Sequence, residues 1–199
     1  RLRTDYIDLY WLHRDNPSVP VGEIVDLLND EVQRGRIRYF GGSNWRVSRL
    51  REANRYAAKN GKMGFVASQP SWSLAWTPPF TNDQVAVDDV ERTGYEEAGD
   101  LAIIPYNSTG TGFFATAGEK GKGRYGNETS AERLARCQSL AKELEASPNQ
   151  IALAWLMHQR AMTIPIIGTC NYNHLVDALD AATIELSRAQ VDLLSAGRA

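Results

Sequence analysis

Short apolar runs recur along the chain, separated by stretches in which apolar residues return at helical spacing. The runs are rich in branched and aromatic residues and are too short to be typical helices. They cover residues 4–13, 36–42, 64–69, 101–106 and 162–168. Runs of this kind predict strands, and we expect the first to be buried on both faces.

Helix signals fill the intervals between the runs. Val21, Val25 and Leu28 share one helical face, and Gly35 is placed to end that helix. Further helices are expected near residues 47–58, 87–98, 134–144 and 173–182, after the N-cap Ser147 and after the capping box at Ser187. Because strands and helices alternate, we expect one α/β domain over residues 1–199 with about five parallel strands. The sequence pattern permits two arrangements of the sheet: part of a (β/α)8 TIM barrel, or an open five-strand doubly wound sheet.

The pattern weakens in two stretches, apart from the helix expected near residues 87–98. Residues 71–100 carry tryptophans and prolines and predict a packed irregular loop. Residues 107–127 are rich in glycine and lysine. We expect this second stretch to be a mobile loop that closes over a ligand, with a disordered surface linker as the alternative.

Composition and charge exclude several classes of protein. The chain has 22 basic and 24 acidic residues among 199, so its net charge of −2 gives no general attraction to nucleic acid or anionic membranes. No apolar run is long enough to span a membrane. Cys137 and Cys170 lack metal or redox spacing, and the three histidines lie in separate elements, so no metal site is expected. This cysteine usage favours a reducing, cytoplasmic location.

Polar residues stand where the predicted strands end. In parallel α/β proteins, ligands bind at the carboxyl ends of the strands. His13 occupies such an end, and either chemistry or a bond to a loop carbonyl would explain it. Ser43 and Asn44 follow the second strand and suit either a binding role or a turn. The residues after the fifth strand precede a helix start, which favours a phosphate.

Five segments, in order, resemble motifs of the aldo-keto reductase family. They are Asp5-Tyr-Ile-Asp-Leu-Tyr-Trp-Leu-His13, Gly35-Arg-Ile-Arg-Tyr-Phe-Gly-Gly-Ser-Asn-Trp45, Ser68-Gln69, Ile104-Pro-Tyr-Asn-Ser-Thr-Gly110 and Ile164-Pro-Ile-Ile-Gly-Thr169. The resemblance implies a (β/α)8 barrel, a bound NADP or NAD, and hydride transfer between a small carbonyl and an alcohol. It begins at the family's fourth strand. The family's Asp, proton-donating Tyr and Lys are therefore expected outside these residues.

The same resemblance implies roles for individual residues. His13 would hydrogen-bond the substrate carbonyl. Ser43, Asn44 and Gln69 would bind the nicotinamide carboxamide, and Tyr106 would stack on the ring. The pyrophosphate would be bordered by Asn107, Ser108 and Gly110. The adenosine end would lie near Gly168, Thr169, Cys170, Asn171, His174 and Asp177.

The sequence departs from the family pattern at its adenosine end. Cys170 and Asn171 stand where the family often places a Lys or Arg for the 2′-phosphate, which leaves both NAD and NADP open. Five strands of a barrel also leave unpaired edges. We therefore expect an upstream segment that completes the barrel, or self-association. The alternative to an enzyme is a non-catalytic nucleotide-binding or interaction module that keeps the fold.

Overall fold

The computed structural model describes residues 3–197 and divides them into two compact units. The first unit runs as far as Pro70 and continues with Phe80–Ile103. The second comprises Ser71–Pro79 and the chain from Ile104 onward. The expectation of a single domain remains a prediction.

The first unit is built on a parallel sheet of four strands in the order β1-β2-β3-β4. The strands are β1 (Ile7–Leu12), β2 (Ile37–Ser43), β3 (Ala67–Gln69) and β4 (Ala102–Ile103). Helices α1 (Val21–Gln33), α2 (Val47–Lys59) and α3 (Asp89–Ala98) complete the unit. The alternation predicted from the sequence is confirmed here, and Gly35 follows α1 in the left-handed conformation at φ 71°.

The core of the first unit packs helix residues against aromatic rings. Phe65 meets Phe40 edge-on at 5.0 Å and Trp45 at 4.9 Å between ring centroids. Leu50 and Val25 are fully buried. This packing holds the chain at the end of β2, where Ser43 is the last strand residue and Asn44 follows it.

The second unit is mostly helical. Its helices are α4 (Lys122–Tyr125), α5 (Glu128–Glu143), α6 (Pro148–Met157), α7 (Tyr172–Asp180) and α8 (Arg188–Ser195), with 3-10 turns at Gly110–Gly112 and Ala181–Thr183. Ser147 is the N-cap of α6 and Ser187 opens α8 with a capping box, as predicted; Ser147 also forms a capping box, which was not predicted. Trp72 and Trp155 pack edge-on at 5.6 Å in its core. No helix within residues 3–197 is both long and apolar enough to cross a bilayer.

The expectation that the first strand is buried on both faces is wrong. Asp8 and Tyr10 of β1 are exposed, and none of its residues is fully buried. The reason is its place in the sheet: β1 is an end strand and pairs only with β2. A strand is buried on both sides only where neighbours cover it.

The expectation of five strands is also wrong. The fourth predicted run keeps only β4, and residues 162–168 form no strand. Both segments contain a proline, Pro105 and Pro165, which has no N–H to donate to a ladder. The fifth run keeps an isolated bridge at Thr163 and a bond from the Ile166 N–H to the Pro105 carbonyl at 3.0 Å. The third run is likewise shortened to Ala67–Gln69.

The glycine-rich stretch after Asn107 is folded, so the disordered-linker alternative is wrong. Phe113, Phe114 and Tyr125 are buried, and the Phe113 ring packs against the other two at 5.5 and 6.2 Å. Gly121 begins α4 with φ of 71°, and a Cβ there would lie 2.7 Å from the Gly110 carbonyl oxygen. The mobility expected of this stretch remains a prediction.

Candidate functional site

His13 directly follows β1, and its side chain is exposed. Its backbone is fixed by the next residue: Arg14 donates to the His13 carbonyl at 2.9 Å and pairs with Asp83 at 2.9 Å. The loop beyond is held by Arg49 of α2, which pairs with Asp15 at 3.1 Å. An imidazole in this position is anchored through its backbone and open to solvent.

Ser43, Asn44 and Gln69 form one hydrogen-bonded network at the ends of β2 and β3. The Ser43 hydroxyl donates to the Gln69 carbonyl at 3.2 Å and accepts from the Asn44 amide at 3.0 Å. The Asn44 backbone N–H donates to the same Gln69 carbonyl at 3.1 Å. Ser43 and Asn44 are only 2% and 4% exposed. The structure therefore brings these three predicted site residues together.

The local sequence explains why this network forms. Asn44 has φ of 57°, a left-handed conformation that asparagine adopts more readily than most residues. Gly42 must lack a side chain, since a Cβ there would lie 2.9 Å from the Trp45 ring and 3.0 Å from Leu50. Trp45 and Leu50 can therefore pack closely against Gly42, the residue before Ser43.

Two supports of this network were not predicted from the sequence. The Asn44 side-chain oxygen accepts from the Val85 N–H at 3.2 Å. Glu91 of α3 accepts from the Val47 N–H at 2.8 Å and so caps α2, whose own N-cap makes no side-chain bond. Burial raises the pKa of Glu91 above its usual value, opposed by the bond from Val47 and by Arg46. No local pattern announces either contact, because more than 40 residues separate the partners.

The second unit contains the residues predicted to border the nicotinamide ring and pyrophosphate. Tyr106 pairs with Ser71 in a parallel bridge and is half-buried. Asn107 has φ of 59° and donates to the Ser71 hydroxyl at 3.2 Å. Ser108 is buried and donates to the Pro105 carbonyl at 2.9 Å, while Gly110 has φ of 58°. These residues form one stretch of irregular backbone, in which the Asn107 and Ser108 side chains bond to Ser71 and to the Pro105 carbonyl.

The N-terminus of α7 is closed by its own cap. The Asn171 side-chain oxygen accepts from the N–H groups of Asn173 and His174, at 2.9 and 3.4 Å. Thr169 in turn accepts from the Asn171 N–H at 3.1 Å. Gly168, Thr169, Cys170, Asn171 and His174 are all exposed. The predicted site residues are adjacent here, but the N–H groups suited to a phosphate already have a partner.

Asp177 is held by a residue that the sequence did not suggest. The buried Asn149 of α6 donates to its carboxylate at 2.8 Å. Ala178, which follows Asp177, is buried in a cluster with Leu153 and Ala181. The side-chain amide beside Asp177 is therefore that of Asn149 in α6. The residue that follows Asp177 on α7 is Ala178, which has no amide side chain.

An Asp–Tyr–Lys cluster does exist, but it is formed by Asp26 of α1, Tyr56 of α2 and Lys62 just after α2 in the first unit. Tyr56 donates to Asp26 at 3.0 Å, and Lys62 pairs with Asp26 at 2.6 Å. The bond to Asp26 raises the pKa of Tyr56, and that of Lys62 is raised by the same carboxylate. A phenol with a raised pKa is a poorer proton donor. This cluster stabilises the packing of α1 on α2 and is not suited to acid catalysis.

Other reactive groups offer no further chemistry. Cys137 is buried and donates to the Pro148 carbonyl, and burial raises the pKa of its thiol to about 12. Cys170 is exposed, and both thiols are free. Across residues 3–197, no three His, Cys, Asp or Glu groups are grouped to hold a metal ion.

Comparison with known proteins identifies the relatives of this chain. The model of the Aldo/keto reductase family matches residues 1–197. A "Probable aldo-keto reductase 1" of Glycine max is 32% identical over 94% of this chain and 54% of its own length. An "Aryl-alcohol dehydrogenase [NADP(+)]" of Phanerodontia chrysosporium is 28% identical over 98% of this chain and 50% of its own length. The crystal structure of a thermostable aldo-keto reductase aligns with a TM-score of 0.66 at 26% identity, covering 96% of this chain and 60% of that one. The chain thus spans about half the length of these curated relatives.

Proposed function

Because the chain belongs to the aldo/keto reductase family, we propose that it is the nicotinamide-dinucleotide-binding part of an oxidoreductase that interconverts small carbonyls and alcohols by hydride transfer. The family match and the likeness to a solved aldo-keto reductase also support a portion of a (β/α)8 barrel as its fold. The observation that carries the functional proposal is the network of Ser43, Asn44 and Gln69, a buried arrangement of small polar groups at two strand ends.

These residues fit a nicotinamide carboxamide. A serine hydroxyl has one donor and two acceptor sites. In Ser43 the donor bonds the Gln69 carbonyl and one acceptor bonds Asn44, so a second acceptor remains for the carboxamide NH2. Within residues 3–197, no hydrogen bond engages the half-buried Gln69 side chain, whose amide can both donate and accept. Asn44 is held by Val85 and Ser43 and would act mainly by positioning its neighbours.

The bound dinucleotide would supply the hydride. His13 would donate an imidazole N–H to the carbonyl oxygen, on which negative charge develops during reduction. Its exposed position suits contact with a substrate. For Tyr106 we propose the stacking role that the family resemblance implies. The convergence of Tyr106 with His13 and Ser43 on one rim remains a prediction.

The proton donor is proposed to lie outside these 199 residues, in an upstream segment or a partner. The Asp26–Tyr56–Lys62 cluster does not qualify, because its hydrogen bonds raise the pKa of the phenol. An observation also favours a second candidate function, a nucleotide-binding module without catalysis: Ser43, Asn44 and Gln69 form one hydrogen-bonded network, whereas the phenol of the Asp26–Tyr56–Lys62 cluster has a raised pKa.

Binding and turnover measurements on the purified 199-residue chain test both candidates. We expect NADH to bind, detected by quenching of tryptophan fluorescence, with no reduction of a panel of aldehydes and ketones. Ser43→Ala should weaken NADH binding about three- to tenfold, the effect of about one hydrogen bond. Ser48→Ala, on the exposed face of α2, is the matched control and should not change binding.

The outcomes separate the proposals. Ordinary turnover by the isolated chain would show that the proton donor lies within it. Failure of both NADH and NADPH to bind would rule out the nucleotide-binding role. Binding without turnover in the longest natural polypeptide that contains this sequence would favour the non-catalytic module. We also propose a cytoplasmic location, supported by the two free thiols.

A further inference from the structure

We propose that the second unit accepts the adenosine end of NAD and disfavours the 2′-phosphate of NADP, and that Asn171 determines this specificity. The inference rests on the proposed nucleotide-binding function. It concerns residues of one unit only, from α6 to the end of α7.

The first argument is the closed N-terminus of α7. Phosphates bind at helix N-termini because free N–H groups point toward them. Here the Asn171 oxygen already accepts from Asn173 and His174, and Thr169 accepts from the Asn171 N–H. A phosphate would have to displace this cap. The loop that the family resemblance assigns to the 2′-phosphate is therefore satisfied without one.

The second argument is charge. Between positions 161 and 187 the sequence contains no lysine or arginine, whereas Asp177, Asp180 and Glu185 lie within it. A phosphate monoester carries about −1.5 to −2 charges at neutral pH and is held in proteins chiefly by Arg and Lys. His174 is the one residue of this stretch that can become cationic. The stretch thus repels a 2′-phosphate more than it attracts one.

The third argument is the fixed carboxylate on α7. Asn149 is 7% exposed and donates to Asp177 at 2.8 Å, which restrains the position of the carboxylate. A carboxylate accepts hydrogen bonds from ribose hydroxyls and repels a phosphate on the same ribose, a discrimination that other dinucleotide-binding folds also use. An acidic group held on α7 therefore suits NAD.

The unit does contain a basic cluster elsewhere. Lys120, Lys122 and Arg124 lie in the glycine-rich segment that includes α4. That segment follows Gly110, which the resemblance places beside the pyrophosphate. NAD and NADP share the pyrophosphate. Cations there would strengthen the binding of both cofactors equally and would not discriminate between them.

The test compares NADH with NADPH on the purified protein. We expect NADH to bind at least tenfold more tightly. Asn171→Arg opens the helix N-terminus and adds a cation, and it should move the ratio of the two dissociation constants at least tenfold toward NADPH. Ser139→Arg adds the same charge to the exposed face of α5 and should leave the ratio unchanged. The ratio is insensitive to any general loss of folded protein.

Two results would overturn the inference: NADPH binding as tightly as NADH in the unmodified protein, or equal shifts in the ratio for the two arginine variants. Adenosine 5′-monophosphate and adenosine 2′,5′-bisphosphate separate this inference from the proposed function, because they lack nicotinamide. Preference for the monophosphate without NADH binding would refute the proposed function and support the inference. Preference for the bisphosphate would refute the inference alone.

Discussion

At the scale of single residues, Asn44 shows which part of a site can be predicted from sequence. A short polar residue after a strand suits either a binding role or a turn, and the structure gathers Ser43, Asn44 and Gln69 in one network. The partner of the Asn44 oxygen is Val85, 41 residues away in an irregular loop. A backbone N–H carries no side-chain signature, so no sequence pattern could have indicated this contact.

Asn44 also provides a test that separates backbone conformation from hydrogen bonding. Asn44→Gly keeps the left-handed φ but loses both side-chain bonds, and leaving the buried Val85 N–H unpaired should cost about 1–3 kcal/mol. Asn44→Ala loses the same bonds and adds the strain of φ 57°, about 1 kcal/mol more. Urea denaturation of the two variants measures the difference. Equal stabilities would show that the backbone conformation contributes nothing.

At the scale of elements, helices were predicted better than strands for a physical reason. Caps are local, so Ser147 and Ser187 mark the starts of α6 and α8 within a few residues. Strand length depends on neighbours that are distant in sequence. Pro105 and Pro165 lie within two of the apolar runs and have no N–H to donate to a ladder, and only Ala102–Ile103 of these runs is a strand. Prediction from apolar content alone therefore overestimated the length of strand in both runs.

The contact of α3 with the N-terminus of α2 predicts a pH dependence of stability. Burial is the main cause that raises the pKa of Glu91 in the folded protein above the usual value of 4.5 for a glutamate. The folded state therefore binds this proton more tightly than the unfolded state does. The resulting stabilisation is complete below about pH 4.5 and is lost as pH rises through the raised pKa.

Glu91→Gln removes this titration while keeping an oxygen for the Val47 N–H. We expect the free energy of unfolding of the unmodified protein, relative to Glu91→Gln, to fall as pH rises from 4 toward 7, by at most about 1.4 kcal/mol per pH unit. Denaturant unfolding at several pH values measures it. A relative gain by the unmodified protein over that range would mean that the bonds from Val47 and Arg46 outweigh burial.

At the scale of the whole molecule, apolar surface remains uncovered in each unit. In the first unit, Tyr10 on the end strand β1 is 39% exposed and Leu27 on α1 is 64% exposed. In the second, Tyr172, Leu175, Val176 and Leu179 form one stripe along α7, exposed by 37% to 77%. Their spacing of three and four residues is that of a helix face that packs against another element. Contiguous exposed apolar surface of this kind marks an interface.

We therefore predict that the isolated 199-residue chain self-associates unless an upstream segment covers these surfaces. Light scattering after size exclusion should give a mass above that of the monomer, rising with concentration. Leu175→Glu combined with Leu179→Lys places charges in the α7 stripe and should lower the mass. Leu193→Lys, at a single exposed leucine of α8, is the matched control and should leave the mass unchanged.

A chain that remains a cooperatively folding monomer at high concentration would show that neither surface needs a partner. It would also count against the partial-barrel fold, because an end strand such as β1 with free N–H and C=O groups invites pairing.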